Sequence, residues 1–281
     1  MQCTNAAGNK PKSWPKLLEA AVTAINTKEA RKAEILRLIK SGDYLTACQV
    51  IRDAMGHHTF HTFLTHELLT PNYAPAPIHD TIIQLGSRIY ATPNFDKIFE
   101  NRAAALPNPP FLVKNYCDAD VAAISKGSIS AILKVHGTID APDRMIFTRT
   151  DYTMARNEFW RFYAVIESLS LTHTFLFIGC GLNDPDIKLI PEDHAFTHKW
   201  ASPHYFVLEK RQYPASIIPA IQNNLNIVIL EYDGGHGQLK PELDVLVLEI
   251  NRRRAQIQLI CLGEIHAELP RRTCISGVAA K

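Results

Sequence analysis

The strongest constraint on the fold is a series of short apolar runs after residue 85. The runs are apolar at nearly every position, and helical patterns lie between or after several of them. Strands that are buried on both faces are apolar throughout, and helical crossovers connect parallel neighbours. The pattern therefore predicts an α/β fold with a mainly parallel sheet covered by helices. The predicted strands are Arg88–Thr92, Ala131–His136, Met145–Thr148, Thr174–Gly179, Tyr205–Glu209 and Ile227–Glu231.

The first 85 residues carry helical periodicity instead. A helix is predicted over Ser13–Thr27, where Ser13 can cap the first turn and Pro15 is tolerated within it. The other predicted helices are two within Lys28–Met55 that break at Gly42, then Phe60–Leu69, Asp151–Leu169, Ser216–Asn223 and Pro241–Gln256. Residues 71–77 form a proline-rich loop, and from about Leu262 no clear period is visible.

Charge and composition exclude several classes of protein. The formal net charge of +2 gives no strong field toward nucleic acid or membrane, so neither is an expected partner. No run approaches the roughly 20 apolar residues of a membrane span, and the amino terminus has no apolar signal-peptide core. Six cysteines without a CxxC pair predict reduced thiols and a cytoplasmic protein.

Polar or glycine-containing turns follow three of the predicted strands. If the sheet is parallel, these turns lie at one edge, where open α/β sheets bind ligands. Each turn also has an ordinary explanation: an Asn-x-Asp helix cap, a hydrogen-bonded histidine, or a glycine turn followed by a cap. Asp184 and Asp186 are open to an acid–base role, although capping is favoured. The turns are Thr92–Asp96, His136–Gly137 and Gly179–Asp186.

The ordered set TPNFD, VHGTID and GCGLNDPDI resembles the sirtuin-like NAD-consuming domain, most closely the bacterial branch found in anti-phage defence proteins. IFTRTDY at Ile146–Tyr152 and AAGNKPKSWPKLLEA near the start are similar to the same branch. The resemblance covers roughly residues 5 to 240. It predicts a domain over residues 1–240 with a helical module at about 28–85, followed by a carboxyl-terminal helix and tail at 241–281.

The resemblance implies a Rossmann-like sheet that binds NAD⁺ as a substrate. Asn94 and His136 match the family's catalytic asparagine and histidine, and both side chains are expected to face the crevice rather than the core. Asp96 matches the second position of the Asn-x-Asp motif, which contacts nicotinamide and its ribose. The implied cofactor-binding residues are Thr4, Thr92, Asp96, Gly137, Gly179, Gly181, Asn183 and Asp184.

The sequence also departs from the family pattern. The four zinc cysteines of deacetylating sirtuins are absent after His136-Gly137, so hydrolysis of NAD⁺ is favoured over deacetylation and no metal is expected. Pro93 replaces the family's glutamine. The family's Gly-Ala-Gly phosphate turn should end where this chain begins, and Cys3-Thr4 match its last residues. We therefore expect either a start site further upstream or a protein without that loop.

Histidine pairs offer a second site hypothesis. His57 and His61 stand four residues apart in HHTFHTFLTH, a spacing that can hold a metal on a helix. A solvated helix face is favoured, because the sequence offers no carboxylate at a convincing third position. His194 and His198 have the same spacing and receive the same interpretation.

The predicted function is an NAD⁺ glycohydrolase of anti-phage defence that produces nicotinamide and ADP-ribose. One alternative is a catalytically silent nucleotide-binding or scaffold subunit with the same fold. A weaker alternative is an NAD-dependent deacylase or ADP-ribosyltransferase. A homo-oligomer or a partner protein of a defence system is expected in either case.

Overall fold

The computed structural model describes residues 3–106, 111–127, 129–181, 191 and 201–268. Its described strands form parallel sheets flanked by helices, which is an α/β fold of the Rossmann-like class. Among the described helices, none combines the length and the apolar composition needed to cross a membrane. Asn183, Asp184, Asp186, His194 and His198 lie outside the described residues.

Helices make up most of the amino-terminal part. The predicted helices and the break at Gly42 are confirmed, since Gly42 ends α2 with φ of 84°. Ser13 occupies the position before α1, but its side chain makes no capping bond. The helix α5 was not predicted. The helices are α1 (Trp14–Ala24), α2 (Glu29–Ser41), α3 (Tyr44–Met55), α4 (His57–Leu68) and α5 (Pro77–Gln84).

The first sheet has three parallel strands in the order β1-β3-β2. These are β1 (Ile89–Thr92), β2 (Leu112–Asn115) and β3 (Ala131–Lys134), and every residue of the central strand is buried. The helix α6 (Ile98–Ala104) follows β1, a 3₁₀ helix covers Val121–Lys126, and α7 (Arg149–Glu158) and α8 (Trp160–Thr172) come after β3.

The second sheet also has three parallel strands, in the order β4-β5-β6. The sequence predicted one sheet, but the described strands pair as two, because apolar runs identify strands without specifying their neighbours. The elements are β4 (Leu176–Ile178), β5 (His204–Glu209), α9 (Ile218–Leu225), β6 (Ile227–Tyr232) and α10 (Leu239–Glu268).

One predicted strand is wrong and one observed strand was missed. Met145–Thr148 is buried but forms no strand, because local acceptors take its backbone donors. Ile146 N–H donates to the His136 carbonyl, and the Phe147 and Thr148 N–H groups donate to the Asp151 carboxylate. The missed strand is β2 (Leu112–Asn115), for which the sequence predicted no element.

An ion pair joins the amino-terminal helices to α7, the helix that follows the last strand of the first sheet. Arg52 on α3 donates to both carboxylate oxygens of Asp151 in the first turn of α7, at 2.7 and 2.8 Å. Asp151 also completes a reciprocal capping box with Thr148. Both side chains of the pair are largely covered, with 19% and 15% of their surfaces exposed. Beside the pair, residues of both parts share one apolar cluster, which includes Ile51 and Phe147.

We expect Arg52→Met to lower the free energy of unfolding by about 1–3 kcal/mol, because it removes two charge-assisted hydrogen bonds from a half-buried carboxylate. Urea denaturation of the variant and the parent measures the difference. Glu249→Gln is the matched control: it removes an acceptor from an exposed pair of bonds on α10, and it should leave the midpoint unchanged. Equal effects of the two substitutions would contradict the proposed importance of the Arg52 contact.

Candidate functional site

The ends of β1 and β3 place Asn94 and His136 at the same edge of the first sheet. The two strands are parallel, and Thr92 pairs with Lys134 at their carboxyl ends. Asn94 and His136 each follow that pair by two residues. The rings of Phe95 and His136 lie 6.4 Å apart between centroids. The structure therefore brings these two predicted turns together.

Two further contacts connect the loop after β1 with the loop after β3. Ile139 N–H donates to the Phe95 carbonyl at 2.9 Å. The Lys97 ammonium lies 2.6 Å from the Asp140 carboxylate, with both side chains partly exposed. The backbone bond fixes the separation of the two loops, and the ion pair joins their partly exposed side chains.

A buried cation supports the loop that carries Asn94. Lys134 is the last residue of β3 and is fully buried. Its ammonium lies 2.5 Å from the carboxylate of Glu100 on α6 and donates to the Asp96 carbonyl at 2.6 Å. A buried charge is stable only when it is paired and hydrogen-bonded. Lys134 therefore connects the central strand, the Asn94–Asp96 loop and the following helix.

His136 is buried, with 3% of its surface exposed, and the expectation that it faces an open crevice is wrong in this respect. Its Nε2 atom lies 3.4 Å from the hydroxyl of Tyr152 on α7. The two rings meet edge to face, with centroids 5.1 Å apart. The turn after β3 supplies the backbone, whose His136 carbonyl accepts from Ile146 N–H, and α7 supplies the ring contact.

Asn94 is exposed and therefore does not face the core. Its N–H donates to the Thr92 hydroxyl at 3.2 Å, which closes a short turn after β1. The Asp96 carboxylate accepts from Ile98 N–H at 3.0 Å and so forms an Asx turn just before α6. Lys97 occupies the cap position of α6, and its side chain makes no capping bond. One oxygen of the Asp96 carboxylate is therefore already engaged, in a turn and not in the expected helix cap.

The backbone conformation at position 137 requires a glycine. Its φ of 85° lies in the left-handed region, and an added Cβ would meet the Arg144 carbonyl oxygen at 2.6 Å. That same oxygen accepts from the Tyr116 hydroxyl at 2.9 Å and cannot easily move away. Burial raises the pKa of Tyr116 to about 12, so the hydroxyl remains a donor.

The remaining described candidates lie around an adjacent apolar cluster. Ile178, the residue before Gly179, packs against a cluster that contains Ile98 and Cys3. Gly179 itself is exposed and has φ of 69°. Gly181 is exposed as well, and Thr4 forms an isolated antiparallel bridge to Ala74.

The Cys3 thiol gives an independent indication of proximity. Burial raises the pKa of this thiol, the Ala76 backbone offsets part of the rise, and the Asp96 carboxylate adds to it. The amino-terminal segment therefore lies within electrostatic range of the loop that carries Asn94.

Sequence reasoning missed Lys134, Glu100 and Tyr152. One signal was available for Lys134. It is the single charged residue in the otherwise apolar run AILKV, and a lysine in a buried strand needs a partner. Tyr152 stands inside the IFTRTDY phrase, but only the fold brings its hydroxyl to His136. Glu100 carried no signal, because a glutamate in the first turn of a helix is ordinary.

The structure also supplies the third ligand that the sequence lacked for the histidine pair. Asp143, in a 3₁₀ turn over Pro142–Arg144, places a carboxylate beside His57 and His61. One atom from each of the three side chains lies within 4.8 Å of the others. Burial lowers the pKa of His61, His57 lowers it further, and Asp143 raises it.

Comparisons with known proteins agree with the geometry. A family profile described as SIR2-like domain matches residues 88–230, which include both sheets except the last two residues of β6. The NAD(+) hydrolase ThsA of Enterococcus faecium is 24% identical over 204 residues, which cover 70% of this chain and 40% of that protein.

Two further proteins with the same name are similar over shorter stretches. The one from Acinetobacter baumannii (strain 532279) is 29% identical over 117 residues, covering 41% of this chain and 24% of that protein. The one from Cytobacillus dafuensis is 26% identical over 113 residues, covering 40% and 22%. The chain thus spans less than half the length of the curated relatives it matches.

Gly137→Ala should destabilise the protein more than Gly42→Ala. Both glycines have nearly the same φ, 85° and 84°, so both substitutions incur about 1–2 kcal/mol of left-handed strain. Only Gly137→Ala adds a clash with the Arg144 carbonyl, whereas nothing lies within 4 Å of a Cβ at Gly42. Thermal melts of the two variants provide the comparison, and equal losses of stability would contradict the clash.

Lys134→Met should lower the free energy of unfolding by about 3–5 kcal/mol, because Glu100 is then buried without its partner. In the double variant Lys134→Met/Glu100→Gln, no unpaired carboxylate remains. Its loss should therefore be smaller than the sum of the single losses by about 0.5–3 kcal/mol. A double-mutant cycle in urea tests this coupling; strictly additive losses would show that the two groups do not act as a pair.

Proposed function

Because the chain belongs to the family of SIR2-like domains, we propose that it is an NAD⁺ glycohydrolase. The observation that carries the proposal is the placement of Asn94 and His136 at neighbouring, in-register strand ends. The similar proteins that are named NAD(+) hydrolases support the same reaction. A role in anti-phage defence is part of this proposal and rests on the resemblance of the motifs.

The proposed reaction consumes NAD⁺ and water and gives nicotinamide, ADP-ribose and a proton. The bond between the ribose carbon and the nicotinamide nitrogen breaks, and both electrons leave with the ring, which becomes neutral. Positive charge develops on the sugar, as in glycoside cleavage, and the oxygen of water forms the new bond. The protein has to orient the sugar, accept a proton and exclude competing nucleophiles.

His136 is proposed as the proton acceptor, since histidine is the side chain that most often transfers protons in enzyme active sites. Tyr152 holds its ring through the 3.4 Å contact at Nε2 and acts as a positioning residue. Because the ring is buried, access of a water or a ribose hydroxyl to it requires the loop after β1 to move or the substrate to displace side chains.

Asn94 is proposed to orient the water or a ribose hydroxyl, because its amide both donates and accepts. Asp96 is proposed to accept from the nicotinamide carboxamide through the oxygen that does not accept from Ile98 N–H. Gly179 and Gly181 are proposed to lie against the adenosine half, and Thr92 and Gly137 to shape the turns that contact the cofactor. Thr4, Asn183 and Asp184 remain proposed cofactor contacts.

We expect His136→Gln to lower the rate of NAD⁺ hydrolysis by about 10²–10⁴-fold, the usual contribution of a general base. Asn94→Ala should also lower kcat strongly, because the nucleophile loses its positioning. Release of nicotinamide from NAD⁺, measured with melting curves for every variant, separates lost chemistry from lost folding.

Matched controls for both substitutions are available. His66→Ala removes an exposed imidazole from α4, and Asn101→Ala removes an exposed amide from α6. Both should retain parental turnover. Full turnover by folded His136→Gln would overturn the proposed mechanism. A folded parent that binds NAD⁺ without cleaving it would instead support a silent nucleotide-binding subunit.

A further inference from the structure

A group of metal-ligating side chains lies apart from the proposed NAD⁺ site. We propose that His57, His61 and Asp143 bind a divalent transition-metal ion, with Zn²⁺ as the reference ion. The ion would connect α4 to the turn that follows the His136–Gly137 loop. This proposal replaces two expectations: that no metal binds, which rested on the absent zinc cysteines, and that the histidine pair is a solvated helix face, which rested on the lack of a third ligand.

The separations of the donor atoms fit a small cation. His61 Nδ1 lies 3.1 Å and His57 Nδ1 lies 3.8 Å from the same Asp143 oxygen. Around a tetrahedral Zn²⁺ with bonds of about 2.0–2.1 Å, neighbouring ligand atoms stand roughly 3.3 Å apart. The two observed distances bracket that value, and all three donor atoms lie within 4.8 Å of one another, so the side chains need only converge further to share one ion.

The simplest alternative is a hydrogen bond between His61 and Asp143 alone. That alternative leaves His57 unexplained, although the two imidazole rings lie only 4.0 Å apart between centroids. Two protonated imidazoles at this distance would repel each other, whereas two neutral imidazoles can both donate lone pairs to one cation. A metal ion uses all three side chains, and a single hydrogen bond uses two.

The chemistry of the donors selects the class of metal. Two imidazoles with one carboxylate suit Zn²⁺, Co²⁺, Ni²⁺ or Cu²⁺, whereas Ca²⁺ and Mg²⁺ prefer sets made only of oxygen ligands. The nearby positive charge of Arg52 is balanced by its bidentate pair with Asp151. Asp143 and His57 are 79% and 63% exposed, so an ion can enter and water can supply a fourth ligand.

The site would join two segments that are distant in sequence. His57 and His61 lie on α4, which contributes Phe60 and Leu64 to the apolar core. Asp143 immediately precedes Arg144, whose carbonyl oxygen receives the Tyr116 hydroxyl bond and would contact a Cβ at Gly137. A bound ion therefore stabilises the folded state at the segment that leads away from His136.

The test uses the full chain after removal of metal by chelation and dialysis. Equilibrium dialysis against Zn²⁺, followed by metal analysis, should give about one ion per chain that is absent from the triple variant His57→Ala/His61→Ala/Asp143→Asn. At free Zn²⁺ about 100-fold above Kd, the melting temperature of the parent should rise by about 5 °C or more. Each single substitution should weaken binding by at least about tenfold.

His58→Ala is the matched control, since it removes an exposed imidazole from the next position of the same helix and should keep full affinity. Co²⁺ serves as a second probe, because its visible spectrum distinguishes nitrogen and oxygen ligands from the thiolates of the free cysteines, Cys3 and Cys117 among them. A Co²⁺–thiolate spectrum, or equal Zn²⁺ binding by the parent and the triple variant, would overturn the proposal. A parent that binds no ion would also overturn the proposal and would restore the interpretation of the histidine pair as a solvated helix face.

Discussion

The ion pair of Lys134 and Glu100 holds together the part of the structure from which a site can be built. A lysine at the end of the central strand has no access to water, so its charge must be met by protein groups. Glu100 provides the opposite charge, and the Asp96 carbonyl provides a second acceptor. One buried ammonium thereby fixes three segments: β3, the loop after β1, and α6. Because charge neutralisation in the interior tolerates little displacement, the pair restricts where the loop that carries Asn94 can lie.

A second set of contacts holds the other side of His136. The Asp151 carboxylate accepts from Arg52 and from the Phe147 and Thr148 N–H groups, and it fixes the start of α7. The next residue on α7, Tyr152, then meets the His136 ring. The helical part and the sheet are coupled through this carboxylate, so the orientation of His136 depends on residues from both. This dependence explains why the proposed site spans segments that lie far apart in sequence.

The likeness to SIR2-like domains and the local geometry rest on different observations. The family profile begins at residue 88, immediately before β1, and the helices α1–α5 lie outside the matched range. Arg52 on α3 nevertheless supports α7, and His57 and His61 on α4 approach the turn at Asp143. The helices outside the match thus connect to the segment after His136 through ion pairs, Arg52–Asp151 and Asp43–Arg149, and through the proposed metal site.

The sequence by itself determined the class of fold, most of the helices, and the order of the motifs. Those features follow from local patterns: buried strands of a parallel sheet are apolar throughout, and Gly42 ends a helix because only its backbone readily adopts the required φ. The motif order also identified Asn94 and His136 at the ends of two predicted strands. Tertiary structure alone decided the pairing of the strands into two sheets, since an apolar run does not identify its neighbour. It likewise decided that Met145–Thr148 bonds to His136 and Asp151 instead of to a strand. Three side-chain contacts were also decided at this level: Glu100 with Lys134, Tyr152 with His136, and Asp143 with His61. The three side-chain contacts join residues 16 to 82 positions apart, and their partners are chosen by where the packed chain brings charges and rings together, which no local spacing encodes.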